Sequence, residues 1–491
     1  MGRAGAWPRW GAHRPLTGSK LSNPEGVSTM RRTTRRAAPL ALLGVAAVFL
    51  SACSGGGSGD DPTDGAPVDT DAPVTISVGG MPTTENPEQR ADFERQVEDF
   101  SAEHDNITVE AEETQWEADT FQALLAGGTM PTVMQVPFTE IGALIERGQV
   151  ADVTDQITGS TVLEQLNPTV MDVVTDADGR IYGVPIAAYT MGLLYNRALF
   201  EQAGLDPDAP PQTWDEVRSA AQTIDEATDA QGFGTMTLDN TGGWILSTMS
   251  YAFGSTMQSD DGTTATLDNP ATTEVLEFYR SLRWEDNSMG SNFLLNYDDA
   301  VNAFAAGQMG MFVQGADNYS NMVVNRGMDP QDFGVAPLPQ TDDGLGTLGG
   351  GTISIINPTA TPEEIAAGLE WIEFKSFLQY TDEEVAVANA EARIADGLAV
   401  AAPGLPVVNE EVNEQYLGWI DSLINVPREN FELYLSTVEE IPLIPEPAVK
   451  AQELYATLDP VVQAVLTRED ADIPQLLGDA QNTIQAALDV G

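Results

Sequence analysis

The chain has 491 residues, enough for two or three domains of ~150 residues each, and its 42% apolar content allows a sizeable core. It carries 22 basic against 75 acidic residues, a formal net charge of −53. A field that negative repels phosphate backbones and anionic headgroups, which excludes nucleic acids and charged membrane surfaces as electrostatic partners. One cysteine rules out an internal disulfide, and two histidines leave no cluster with zinc spacing.

The charge is unevenly placed. Residues 1–52 hold eight basic residues and one acidic residue, so 53–491 holds 14 basic against 74 acidic, a net −60. From Met30 the chain reads MRRTTRRAAPLALLGVAAVFLSAC. Arg31, Arg32, Arg35 and Arg36 form a positive start, and Ala37 to Phe49 form an apolar run too short to span a ~30 Å hydrocarbon core stably. Leu50-Ser51-Ala52-Cys53 resembles the bacterial lipobox, in which the cysteine is acylated and becomes the first residue after cleavage. The sole cysteine of the chain stands at the required place. Residues 1–52 are therefore expected to be an upstream extension plus a lipoprotein signal with its start at Met30. Residues 53–73, rich in Gly, Ser, Asp and Pro, are expected to be the anchor and a flexible tether.

The body begins with Val74–Val78, which alternates like a strand. Asn86-Pro87 opens a helix with Phe93, Val97 and Phe100 on one face, and Ile107 to Val109 follows as a second strand. Strand, helix, strand predicts a βαβ unit with parallel pairing. Thr213-Trp-Asp-Glu216 and Thr361-Pro-Glu-Glu364 read as capping boxes, and Val275, Leu276, Tyr279 and Leu282 stripe a further helix. The fold class expected is α/β.

Catalytic signals are sparse. No Walker loop, HExxH or GxSxG occurs. Gly344-Leu-Gly-Thr-Leu-Gly349 spells GxGxxG but precedes a β-branched run instead of opening a helix, so the dinucleotide reading fails on context. Asp176-Ala-Asp-Gly179 lacks the later ligands of a calcium loop and reads as a turn. His104 lies just past an acidic helix face, as a surface residue would. No cofactor and no metal are expected.

Asp178-Gly-Arg-Ile-Tyr-Gly-Val-Pro185, Gly192-Leu-Leu-Tyr-Asn-Arg197, Leu199-Phe200, Ala203-Gly-Leu205 and Pro210-Pro-Gln-Thr-Trp-Asp-Glu216 follow in quick succession. Further on come Phe304-Ala-Ala-Gly-Gln-Met-Gly-Met311 and Phe333-Gly-Val-Ala-Pro-Leu-Pro339, then Gly349-Gly-Gly351 and the helix around Trp371. In this order they resemble extracellular solute-binding protein family 1, the maltodextrin-binding-protein-like receptors of ABC importers. The resemblance implies a periplasmic-binding-protein-like fold, two α/β lobes joined by hinge crossovers around a ligand cleft. It places lobe one at 74–186 and 353–400 and lobe two at 190–350 and 405–491, with crossovers at Ile186–Tyr189, near Gly351–Ile353 and near Ala401–Pro406.

It also implies the partners. These are a small solute, a sugar in the first instance, and the permease subunits of an importer, the membrane being reached through the anchor on Cys53. The receptor is expected to work as a monomer outside the cytoplasm, without nucleic acid and without enzymatic turnover. Candidate ligand contacts are Trp116, Gln135 and Phe138 in lobe-one loops, Tyr189 and Gly350 at the crossovers, and Trp244, Asp317, Asn318 and Tyr319 in lobe two. Asp317 stands where relatives often carry a stacking Trp. The rivals are a polyamine or other non-sugar receptor of the same fold, a lipid-anchored glycosidase, and a sensor that presents its ligand to a membrane kinase.

Overall fold

A computed structural model describes residues 72–490, apart from 159 and 260. Cys53 and the signal segment lie outside those residues. Among the described residues nine strands join one sheet: β1 (Val74–Val78), β2 (Ile107–Ala111), β3 (Val133–Pro137), β4 (Val184–Asn196), β5 (Gln231–Phe233), β6 (Met309–Gly315), β7 (Phe333–Pro337), β8 (Thr347–Ile356) and β9 (Leu443–Ile444). Their order along the sheet is β2-β1-β3-β8-β4-β6-β5, with β7 on β4 and β9 on β8.

The local signals act as their chemistry requires. β1 and β2 pair in parallel from Val74 opposite Ile107 to Val78 opposite Ala111, with the helix Pro87–Glu103 between them. Thr213 accepts from the Glu216 amide while the Glu216 carboxylate takes the Thr213 amide, and Thr361 with Glu364 repeats the exchange. Each box satisfies donors that the first helical turn leaves orphaned. The GxGxxG letters run straight into β8, and their glycines let the chain of β9 approach. A Cβ on Gly346 would meet the Pro442 carbonyl at 2.2 Å, and one on Gly349 would meet Leu443 at 2.6 Å.

Two separate cores flank the middle of the sheet. The first lies on both faces of β3: Ile76, Val78, Phe93, Phe100 and Trp371 with Val133 on one side, Phe121, Met134, Val136 and Phe138 on the other. The second gathers Leu193, Tyr195, Phe233, Tyr279, Phe304, Phe312 and Leu458. β4 belongs to both. Its first half pairs with β8, from Val184 opposite Ser354 to Thr190 opposite Gly349, and its second half runs between β6 and β7. A one-residue irregularity between Pro185 and Ala187 bends the strand as it leaves the first core.

The third pass departs from the expected boundary at 405. Ala188 bridges Leu405 at the crossing, but Val407, Val408 and Val412 then pack into the first core. Asn167, wholly buried, fixes them there, its amide nitrogens donating to the carbonyls of Val407 and Pro406 at 2.9 Å each. The chain rejoins the second core only at Val426 and Phe431. His104 is also less exposed than expected, since its ring stacks on Phe100 at 4.1 Å with a ring nitrogen 3.0 Å from the Phe100 carbonyl.

In the second core the helices Thr241–Ala252 and Ala451–Thr467 touch backbone to backbone. Asn240, left-handed at φ 70°, makes no side-chain cap for the first of them. Asp459 of the other supplies it, accepting from the amides of Asn240 at 2.8 Å and Gly243 at 2.9 Å. A Cβ on Gly243 would lie 2.3–2.7 Å from the Tyr455 backbone. Gly243→Ala is therefore expected to destabilise the protein by about 1–3 kcal/mol, read as a lowered thermal unfolding midpoint. An unchanged midpoint would show that the two helices can part without loss.

Candidate functional site

The site is built where β4 and β8 leave one core for the other. Tyr189 on β4 stands opposite Gly350 on β8, and its ring lies flat across that glycine, since a Cβ there would meet the hydroxyl oxygen at 2.7 Å and ring carbons at 2.9 Å. Only glycine permits this. Gly350 thus seats Tyr189, where sequence had assigned it to close approach of a ligand.

Around Tyr189 the chain gathers acids and phenols. β9 runs parallel to β8 with Leu348 beside Ile444, and Glu446 follows two residues beyond its end, where its carboxyl hydrogen-bonds the Tyr455 hydroxyl. Asp317 comes from the 3₁₀ turn Ala316–Asn318 that follows β6. Burial raises the pKa of the Tyr189 hydroxyl, and the charges of Glu446 and Asp317 raise it further. Glu446 acts likewise on Tyr251 and Tyr455, Asp317 on Tyr297 and Tyr434. Tyr251 and Tyr455 are 2% and 1% exposed and sit on the two helices clamped together at Gly243. From the first lobe, Glu140 at the head of the helix Phe138–Glu146 adds its charge to that felt by Glu446.

Removal from water penalises the charged form of a carboxyl. Burial pushes Glu446 up to about 7 and Asp317 up to about 6. No described Lys, Arg or His forms an ion pair with either. Asp317 nevertheless remains open to solvent on part of its surface.

The expected contacts divide. Tyr189 and Asp317 meet at this seam. Asn318 lies next to them with its amide already used, accepting from the Tyr297 hydroxyl and from Asn321 while donating to the Gly315 carbonyl at 3.3 Å. Gln135 is exposed on β3, opposite Ser354 of β8. Trp244 is partly buried against the second core with its indole N–H enclosed and unpaired, and Trp116 packs on the first core. Two expectations are corrected. Tyr319 is 2% exposed and sits edge-on to Phe333 at 5.1 Å, because the 3₁₀ turn that sends Asp317 outward returns Tyr319 to the core. Phe138, 2% exposed, packs beneath Gly351 as part of the first core. Sequence reading missed Glu446, whose only signal was the Ile444-Pro-Glu-Pro447 passage in an otherwise irregular stretch, and Tyr251, Tyr455 and Glu140, which look like ordinary residues of their helices.

The sequence profile described as bacterial extracellular solute-binding protein matches residues 84–375. The chain belongs to this family. Among curated relatives, a Brucella abortus (strain 2308) protein whose name states binding but no ligand is 27% identical over 275 residues, 54% of this chain and 63% of that one. The sn-glycerol-3-phosphate-binding periplasmic protein UgpB of Salmonella typhimurium (strain LT2) is 29% identical over 188 residues, 36% of this chain and 40% of its own length. The matches thus span less than two thirds of either relative. The solved structure of the cyclic α-maltosyl-1,6-maltose binding protein from Arthrobacter globiformis superposes with a TM-score of 0.62 over 86% of this chain and all of that one, at 21% identity. The solute-binding fold of two lobes accordingly holds for this chain.

Ionisation of Glu446 opposes folding, because its pKa of about 7 lies above its ordinary 4.5. The stability it contributes is full below pH 4.5 and is lost as pH rises through 7. Glu446→Gln is therefore expected to unfold about 2–4 °C above the parent at pH 8 and level with it at pH 4.5. A difference that did not change with pH would contradict this. Tyr319→Ala, by contrast, is expected to lose about 3–5 kcal/mol of stability in denaturant unfolding.

Proposed function

We propose that this family member is the lipid-anchored solute-binding receptor of an ABC importer, held outside the cytoplasm by Cys53 and handing a captured sugar-like solute to the permease. The observation that carries the proposal is the seam at Tyr189. An aromatic face, two carboxyls and several phenols converge where the strands shared by both lobes cross, and Glu140 faces them from the other lobe. Ring C–H groups favour aromatic faces, and hydroxyls favour carboxyl and phenol oxygens. A ligand spanning the seam stabilises the closed arrangement by its differential affinity for it. Closure turns on β4, β8 and the third pass at Leu405.

The acidity of the seam argues against a phosphate ester like the one named for the Salmonella relative, since no described cation pairs with either carboxyl. The two raised carboxyls do resemble the acid pair of a glycosidase, so the screen must also read turnover. A calorimetric screen of mono- and oligosaccharides against the purified protein is expected to find a binder, with no hydrolysis. Tyr189→Ala should weaken that binding about tenfold or more, whereas Tyr319→Ala should lose stability before affinity. Turnover of a bound sugar would overturn the receptor reading.

A further inference from the structure

The third pass meets both lobes within a few residues. Ala399, Ala402 and Leu405 pack on the second core, while Val407 and Val408 lie in the first. Both ends of this hook are fastened. At its start Arg393 donates twice to the Ala399 carbonyl, at 2.9 and 2.8 Å. The Asn425 side chain accepts from the Val400 amide at 2.8 Å and donates to the Leu398 carbonyl at 3.0 Å. At its end Leu405 bridges Ala188, and Asn167 holds the carbonyls of Pro406 and Val407. On this crossing, any turn of one lobe against the other is therefore taken up among residues 401–404. Pro403 has a fixed φ, and Ala402 before it is confined to extended backbone. Ala401 and Gly404 are left to turn.

Ala401 is the strained member of the two, left-handed at φ 60°. Asp239, Asn240 and Asn287 share that conformation, but their short polar side chains tolerate it, whereas an alanine Cβ only crowds the backbone there. The Ala401 carbonyl accepts from the Arg428 guanidinium at 3.3 Å. Arg428 is partly buried and forms no ion pair with any described acid. It belongs to the segment that rejoins the second core at Val426 and Phe431. We propose that Ala401 and Arg428 form a sprung latch in the hinge: Arg428 keeps Ala401 left-handed in the lobe arrangement of this structure, and rotation of the lobes lets Ala401 relax. The strain then opposes this arrangement and sets how readily the lobes change state. The proposal rests on the two-lobed receptor reading and adds a residue that tunes the lobe balance without touching solute.

Pulsed electron spin resonance on the purified protein tests this, with spin labels at Glu98→Cys and Glu226→Cys in a Cys53→Ser background. Both positions are exposed, one on the first-lobe helix Pro87–Glu103 and one on the second-lobe helix Trp214–Ala227. The distribution of label distances reads the ratio of lobe arrangements without solute. Glycine adopts a φ near 60° freely, so Ala401→Gly is expected to raise the share of this arrangement relative to the other about fivefold. Ala401→Asn should raise it less, and Arg428→Met should lower it. Because both arrangements are folded, the extra freedom that glycine gives the unfolded chain does not enter. A ratio that none of the three substitutions changes, even where the unfolding midpoint moves, or that moves in the opposite sense, would overturn the latch. If sugars of the calorimetric screen still shift the distance, the receptor reading stands. A distance that neither the substitutions nor any of those sugars move overturns lobe closure and the latch together.

Discussion

Everything that positions the site depends on one antiparallel pairing, that of β4 with β8. Six residue pairs from Val184–Ser354 to Thr190–Gly349 tie two strands that each belong to both cores. A ladder of this kind resists stretching and shear along its length but yields to twist. The glycines at 349, 350 and 351 remove side chains where twist is needed, and Tyr189 and Phe138 occupy opposite sides of the space so released. The Tyr189 ring and the first core therefore rest on the same three residues.

The second lobe reaches the seam by a different route. Asp459, buried beneath a helix that has no cap of its own, holds Thr241–Ala252 against Ala451–Thr467. That contact aims Tyr251 and Tyr455 toward Glu446. The unfavourable burial of an acid is thus met in two ways within a few residues of chain. Asp459 is satisfied by backbone amides, and Glu446 is left without a cation. The first is a structural solution. The second leaves the acid to the Tyr455 phenol, which hydrogen-bonds it.

Much of the architecture was legible in local chemistry. The two capping boxes, the parallel βαβ opening and the buried stripe of Val275, Leu276, Tyr279 and Leu282 all form as the residues require. The ordered motifs between Asp178 and Glu216 placed the first crossover within the stretch that β4 occupies. What escaped was set by tertiary context. A single 3₁₀ turn decides that Asp317 faces out and Tyr319 in, and composition does not record it. The boundary at 405 failed because Val407 and Val408 suit either core, and only the buried Asn167 selects the first. Glu446 escaped because Ile-Pro-Glu-Pro has no periodicity and gains meaning solely from the strand beside it.

The placement of Glu446 and Tyr455 has a consequence for biogenesis. Tyr189 lies on β4, whereas Glu446 and Tyr455 come only after residue 440. During synthesis or export the chain can complete the first core and most of the sheet while still lacking both. The surroundings of Tyr189 are therefore completed last, when the segment 443–455 docks on β8 and on the helix Thr241–Ala252.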